Sequence, residues 1–185
     1  RSLSSAASDV YKRQHTDTYR GDGNQDYMRF NVATTFTRAA EEALIDVESS
    51  IHVGARGPTN DSGVFNHTRD VGYGLIDSTE LFNAGLRNTA KNIVESLKGR
   101  SVYLCFDMDF FDPSCAPGVC TPTWGGATSR EGLDFLQNLT GLNLVGADIN
   151  TVSPPHDISG MTAFLAATVG LEILSLIGHS RGLVK

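Results

Sequence analysis

The run Val102-Tyr103-Leu104-Cys105-Phe106 is apolar throughout, and Asp107, Asp109 and Asp112 follow it at once. A short run with no polar face fits a strand covered on both sides, as strands inside parallel sheets are. Helix and strand patterns alternate around it. Ser50–Ala55 (SIHVGA) reads as a strand, stopped by Arg56-Gly57-Pro58. Val71–Ile76 and Leu142–Ile149 read as further strands. Thr34–Ile45 reads as a short helix with Phe36, Ala39, Ala40, Ala43 and Leu44 on one face. Asp77 and Glu80 form a capping box that opens a helix ending at Gly99. Its apolar stripe is Leu81, Phe82, Leu86, Ala90, Ile93, Val94 and Leu97. Thr128 and Glu131 form a second box, for a helix to about Leu139. Ser159–Leu176 reads as a long helix with Met161, Leu165, Thr168, Val169 and Ile173 near one stripe. This alternation predicts an α/β fold, three-layer α-β-α with a mostly parallel sheet. Ligands of such sheets bind beyond the carboxyl ends of the strands. The chemistry is therefore expected just after Phe106 and just after Ala147.

The chain has 185 residues, enough for one domain of ordinary size with a sizeable core. Its net charge of −6, with no basic run, argues against partners such as nucleic acid or an anionic membrane. No stretch is expected to reach the ~18 consecutive apolar residues of a membrane span. Three cysteines, an odd number, argue against a disulfide framework and for a reducing, cytoplasmic setting. Arg1–Gln14 (RSLSSAASDVYKRQ) stands apart. It has no apolar period and carries +2, against −8 for the remainder. It reads as a non-native or disordered tail, with residues 15–185 as the body of the domain.

Side chains two apart in a strand share a side, so Asp107 and Asp109 set two carboxylates together at a strand end. Their mutual repulsion in a crevice is relieved by a divalent cation. The alternative for a bare Asp-x-Asp is one acid capping a turn and the other solvated. The long loop after it, with Pro117-Gly118, Thr121-Pro122 and Gly125-Gly126, favours a functional site. Phe110, Phe111, Val119 and Trp124 make that loop too apolar to be disordered. His15-Thr16-Asp17 offers an imidazole and a carboxylate at spacing suited to one ion or two adjacent ones. Asp148 to Asp157 (DINTVSPPHD) is a strand end running into a stiff turn. Cys105, Cys115 and Cys120 lack metal-ligand spacing and read as packing residues, and His52 as structural. Arg56, above the crevice, suits contact with a substrate or with a neighbouring subunit.

Together these segments resemble the ureohydrolases, the family of arginase and agmatinase, with the agmatinase branch nearer. FDMDFFDPSCAPGVCTPTWGG (Phe106–Gly126) carries the most specific part of the likeness. HTDTY (His15–Tyr19) looks like the end of the family's Asp-Ala-His-x-Asp motif. VGARG (Val53–Gly57), VSPPHD (Val152–Asp157) and SGMTAFLAA (Ser159–Ala167) also correspond. The resemblance implies a two-ion metal site, usually manganese (Mn2+) with nickel (Ni2+) possible. Such a site activates water to attack a guanidinium carbon and release urea from a small guanidino substrate. Carried over, the metal ligands are His15, Asp17, Asp107 and Asp109, with Asp107 between the ions. Asp17 also takes a catalytic role, bonding the attacking water. The resemblance further implies a homo-oligomer, a trimer or hexamer.

Three departures qualify the likeness. Arg13 stands where the family has a bridging Asp, and an earlier Gly-Gly-Asp-His segment has no counterpart, so four of the usual six ligands remain. The chain reads as a truncated piece, inactive as written. Asn150-Thr151 replaces a Glu that grips the guanidinium, and Asn31–Thr34 (NVAT) replaces His-Gly-Thr. With Trp124, these changes resemble ureohydrolases acting on free guanidine. Trp124, Asn150 and Thr151 are accordingly the candidate substrate contacts. The alternative from another class is a non-catalytic, degenerate ureohydrolase-like subunit. A zinc deacylase on a related fold is a more distant reading.

Overall fold

The computed structural model describes the backbone of residues 8–12, and residues 15–21, 29–59 and 61–184 in full. Five strands form one sheet: β1 (Ser8–Lys12), β2 (Ile51–Ala55), β3 (Gly74–Asp77), β4 (Ser101–Asp107) and β5 (Asn143–Asn150). Their order across the sheet is β3-β2-β1-β4-β5, and every neighbouring pair is parallel. The helices among the described residues are α1 (Thr35–Glu41), α2 (Val64–Val71), α3 (Ser78–Ala84), α4 (Leu86–Ser96), α5 (Ser129–Gln137) and α6 (Met161–Ser180).

Residue parity along β4 assigns the two faces. Val102, Leu104 and Phe106 point into the larger core, with Leu81 of α3, Ala90 and Ile93 of α4, Phe135 of α5 and Val169 of α6. Cys105 points the other way, into a smaller core with Phe36 of α1 and Tyr73, flanked by Val71 of α2. Helices thus cover both faces, and the predicted three-layer parallel architecture is observed. His52 lies in that smaller core, its ring 5.4 Å from Phe36 and 4.9 Å from Tyr73, edge-on to both. Its structural reading holds.

Three sequence expectations are corrected, and one helix is added. Residues 1–14 do not form an irregular tail over Ser8–Lys12, which supplies the central strand between β2 and β4. A strand ladder is built from main-chain groups, so a segment without apolar period can fill the slot and leave no open edge inside the sheet. Residues 1–7, 13 and 14, Arg13 included, lie outside the described residues. The single helix expected from Asp77 to Gly99 is two, because Gly85 takes φ +82° and ψ 131° and breaks the ladder between α3 and α4. Val64–Val71, unassigned from sequence, is helical and ends at Gly72 with φ +112°.

The last correction concerns α6. It is long and apolar enough, by length and composition, to cross a membrane, with a mean hydropathy of 1.8. Thr, Gly and Ser fall inside the helix, so no unbroken apolar run marks it in the sequence. Its buried stripe is Thr162, Val169, Ile173 and Leu176, whereas Met161, placed on that stripe from sequence, is exposed. Phe164, Leu171 and Leu174 face outward as well.

Candidate active site

The carboxyl ends of β1, β4 and β5 meet at one cleft, a cavity of about 1160 Å³. His15 and Asp17 reach it from the segment after β1, Asp107 and Asp109 from the end of β4, Asn150 and Thr151 from the end of β5. The opposite wall is Asn31–Thr35, with Pro58, Asp61 and Cys120–Thr123 at the rim. All four sequence-assigned metal ligands therefore line one cavity. Trp124 does not; it is 75% exposed and stands outside the lining. The loop residues grouped with it part company, since Phe110, Phe111 and Val119 are core.

Local rules explain each position. Met108–Phe110 winds into a single 3-10 turn, so Asp109 leaves the strand alternation and both acids are buried, at 3% and 2% exposure. Asp17 takes φ +48°, a left-handed conformation that Asp tolerates better than most residues. Its carbonyl accepts from Phe36 N–H at 3.1 Å, and Tyr19 N–H donates to Ala33 at 3.0 Å. These bonds lock the His15–Tyr19 segment onto the start of α1. Asn31 is a capping residue there, its side chain accepting from Ala33 N–H at 2.9 Å.

The loop beyond β4 is closed by Asp112. Its carboxylate accepts from Ser114, Gly125 and Gly126 N–H groups at 2.9, 2.9 and 3.3 Å. Burial works against ionisation of Asp112, but these donors outweigh it and hold the carboxyl below its usual range. Gly118 then joins the loop to the β5–α6 connection. Its N–H donates to Thr162 Oγ1 at 2.8 Å, and its carbonyl accepts from Ser153 at 2.8 Å.

Asn150 and Thr151 are both committed to neighbours. Asn150 Nδ2 donates to Asp148 Oδ1 at 2.5 Å, and the Tyr103 hydroxyl donates to Asp148 Oδ2 at 2.9 Å. Thr151, at φ +70°, accepts from Asp109 N–H at 3.2 Å through its hydroxyl. No local pattern marks that bond, which runs between segments 42 residues apart. Arg56 does not face the cavity. Its guanidinium turns inward beneath the loop, and burial pulls its pKa below the ordinary value, with Asp109 and Asp112 opposing the shift. His156 is likewise away from the cleft, its Nδ1 2.7 Å from Ser153 Oγ.

The donors suit a divalent cation in part. Asp109 Oδ1 is buried with no hydrogen-bond partner among the described residues, an arrangement that is costly unless a cation meets it. His15 Nδ1 and Asp109 Oδ2 stand 3.8 Å apart. That is too long for a hydrogen bond and a few tenths of an ångström beyond the roughly 3.0–3.4 Å that two ligands of one ion span with bonds of about 2.1 Å. Among the described residues no three His, Cys, Asp or Glu side chains converge as a ready ligand set. The pair is formed and a complete shell is not.

The fold and site define a three-layer α/β protein with a parallel sheet and an acidic, imidazole-bearing cleft at its strand ends. Comparison with known proteins narrows that class. The profile of the Arginase family matches residues 14–175, and the chain belongs to this family. It is 35% identical to a guanidinobutyrase of Pseudomonas aeruginosa over 78% of its own length and 45% of that protein's. It is 35% identical to an agmatinase of Neisseria meningitidis over 90% of its length and 50% of the relative's. The solved structure of proclavaminate amidino hydrolase from Streptomyces clavuligerus superposes with a TM-score of 0.85 and 33% identity, covering 95% of this chain and 57% of that one. The chain thus spans about half the length of the curated relatives it matches.

Proposed function

We propose that this chain carries the cleft of a ureohydrolase that splits a guanidino C–N bond and releases urea. One observation supports the reading above others: His15, Asp17, Asp107 and Asp109 come from two separate strand ends and line one cavity of an Arginase-family fold. His15 and Asp109 would hold a divalent ion, manganese or nickel, with Asp107 and Asp17 completing the acidic floor. The chemistry such an ion supplies is a lowered water pKa, so that hydroxide is available near neutrality. The remaining work belongs to the chain. Asp17 orients the attacking water by accepting its hydrogen bond. The acidic floor steadies the guanidinium charge. Water oxygen adds to the guanidinium carbon, the C–N bond breaks, and both water protons pass to the leaving nitrogen, which departs as a protonated amine beside neutral urea. Asn150 and Thr151 bring neutral groups where a carboxylate grip was expected, which suits a small substrate such as guanidine over one held by a long charged tail.

The resemblance calls for a bridging carboxylate where this sequence has Arg13, so the chain as written is expected to turn over at or near background. The test is Mn2+ and Ni2+ titration by calorimetry, with urea release from guanidine, agmatine, guanidinobutyrate and guanidinopropionate. Chain and Arg13→Asp variant are run side by side. The proposal expects ion binding that Asp109→Asn and His15→Ala abolish, and urea release gained with Arg13→Asp. A chain that takes up no ion and yields no urea in either form is the non-catalytic subunit instead.

A further inference from the structure

Arg56 leaves the end of β2 and is only 7% exposed. Every hydrogen bond recorded for it among the described residues goes to a main-chain carbonyl. Nη2 donates to Asp109 O at 2.6 Å, Phe111 O at 3.2 Å and Thr123 O at 3.0 Å, and Nε donates to Thr123 O at 3.3 Å. No carboxylate lies within ion-pair distance of it among the described residues. A buried cation with no direct ion pair is costly, and the more distant Asp109 and Asp112 carboxylates offset only part of that cost. The planar fork of a guanidinium repays that cost here by serving two chain segments at once.

Two glycines make room for it. A Cβ on Gly126 would lie 2.6 Å from Arg56 Nη2, and a Cβ on Gly57, itself at φ +85°, would lie 2.6 Å from Thr123 Cγ2. The packing around the guanidinium is therefore built for close approach. From the other side the Thr151 hydroxyl accepts from Asp109 N–H. Both main-chain polar groups of Asp109 are thus held by side chains from other strand ends, while its carboxylate Oδ1 is left without a protein partner among the described residues.

We propose that Arg56 is a positioning residue, whose guanidinium fixes the direction of the Asp109 carboxylate and pins the Asp112–Ala127 loop over the cavity. This rests on the reading of Asp109 as a site carboxylate. Arg56 touches neither substrate nor ion; it acts through the peptide of Asp109 and the carbonyl of Thr123.

The test compares Arg56→Met and Arg56→Lys with the parent chain, all in a Cys120→Ser background. Two readouts are used. One is the rate at which a thiol reagent labels Cys115, whose sulfur donates to Asp112 O at 3.3 Å and is half-buried in the loop. The other is Mn2+ affinity by calorimetry. Arg56→Met is expected to speed Cys115 labelling several-fold and to weaken Mn2+ binding by about ten- to a hundredfold, the usual effect of losing a supporting contact to a ligand. Arg56→Lys, which keeps the charge but reaches fewer carbonyls, is expected to fall between. Parent-like labelling and parent-like affinity in a folded Arg56→Met chain overturn the proposal. If the parent takes up no Mn2+, the metal reading fails alone, and the labelling rate still decides the clamp. If Arg56→Met does not fold, Arg56→Lys and Thr151→Val carry the comparison. Unchanged labelling in a folded Arg56→Lys chain likewise overturns the clamp.

Discussion

Two single residues outside the cleft lining show how local chemistry shapes the frame around it. Asp157 caps α6, its carboxylate accepting from Thr162 and Ala163 N–H groups at 2.9 Å each. Burial raises its pKa, but the Ala163 and Thr162 donors win and hold it below the usual carboxyl range. A depressed carboxyl adds stability above its unfolded pKa and loses it as pH falls through its folded value. Melting curves of the parent and Asp157→Asn should therefore differ most at neutral pH, parent higher, and converge in acid. Gly54 is the second. It sits at φ +86° where the β2–β3 register shifts, and a Cβ there would lie 2.8 Å from Phe110 Cε2. Gly54→Ala is expected to destabilise the chain by about 1–3 kcal/mol, read by urea unfolding. Asp157 was legible only as the end of the stiff turn after Leu142–Ile149. The role of Gly54 was not, because it depends on Phe110 arriving from another strand end.

Elements with strong local signals were well marked. Both capping boxes predicted from sequence are formed. Asp77 accepts from Glu80 N–H at 2.9 Å, and Thr128 from Glu131 N–H at 3.3 Å, with Glu131 Oε2 accepting in return at 2.8 Å. Thr128→Ala is expected to cost about 1 kcal/mol in unfolding free energy, measured by urea denaturation. The buried strand β4 was clear as well, since no polar face interrupts it. Elements whose stability comes from neighbours were less clear. The α3–α4 break follows from the conformation Gly85 adopts, and a glycine inside a helical period does not announce whether it will bend. β1 lay hidden for the opposite reason: its place is fixed by two flanking strands, not by its own pattern.

At the scale of the whole molecule, one face of α6 is left apolar and open. Phe164, Leu171 and Leu174 are 78%, 68% and 64% exposed, with Ile158 and Leu183 beside them in exposure. Exposed patches of this kind favour association. Replacing Leu171 and Leu174 by Gln should raise the protein concentration that stays in solution, measured by light scattering, and leave the unfolding midpoint nearly unchanged. A lowered midpoint would mean that these side chains are part of the fold's own packing.

The sequence by itself determined the α/β class, the β4 strand, the capped helices and the acidic residues of the cleft. Each of these is written in contiguous residues: a period, a capping box, an Asp-x-Asp at the end of an apolar run. Only the tertiary structure decided that Ser8–Lys12 completes the sheet, that Trp124 stands away from the cavity, that Thr151 and Arg56 hold the Asp109 peptide from two sides, and that α6 presents an open face. Those facts arise from contacts between segments far apart in the chain. Local pattern carries no record of them, because the same residues in another setting would serve other partners.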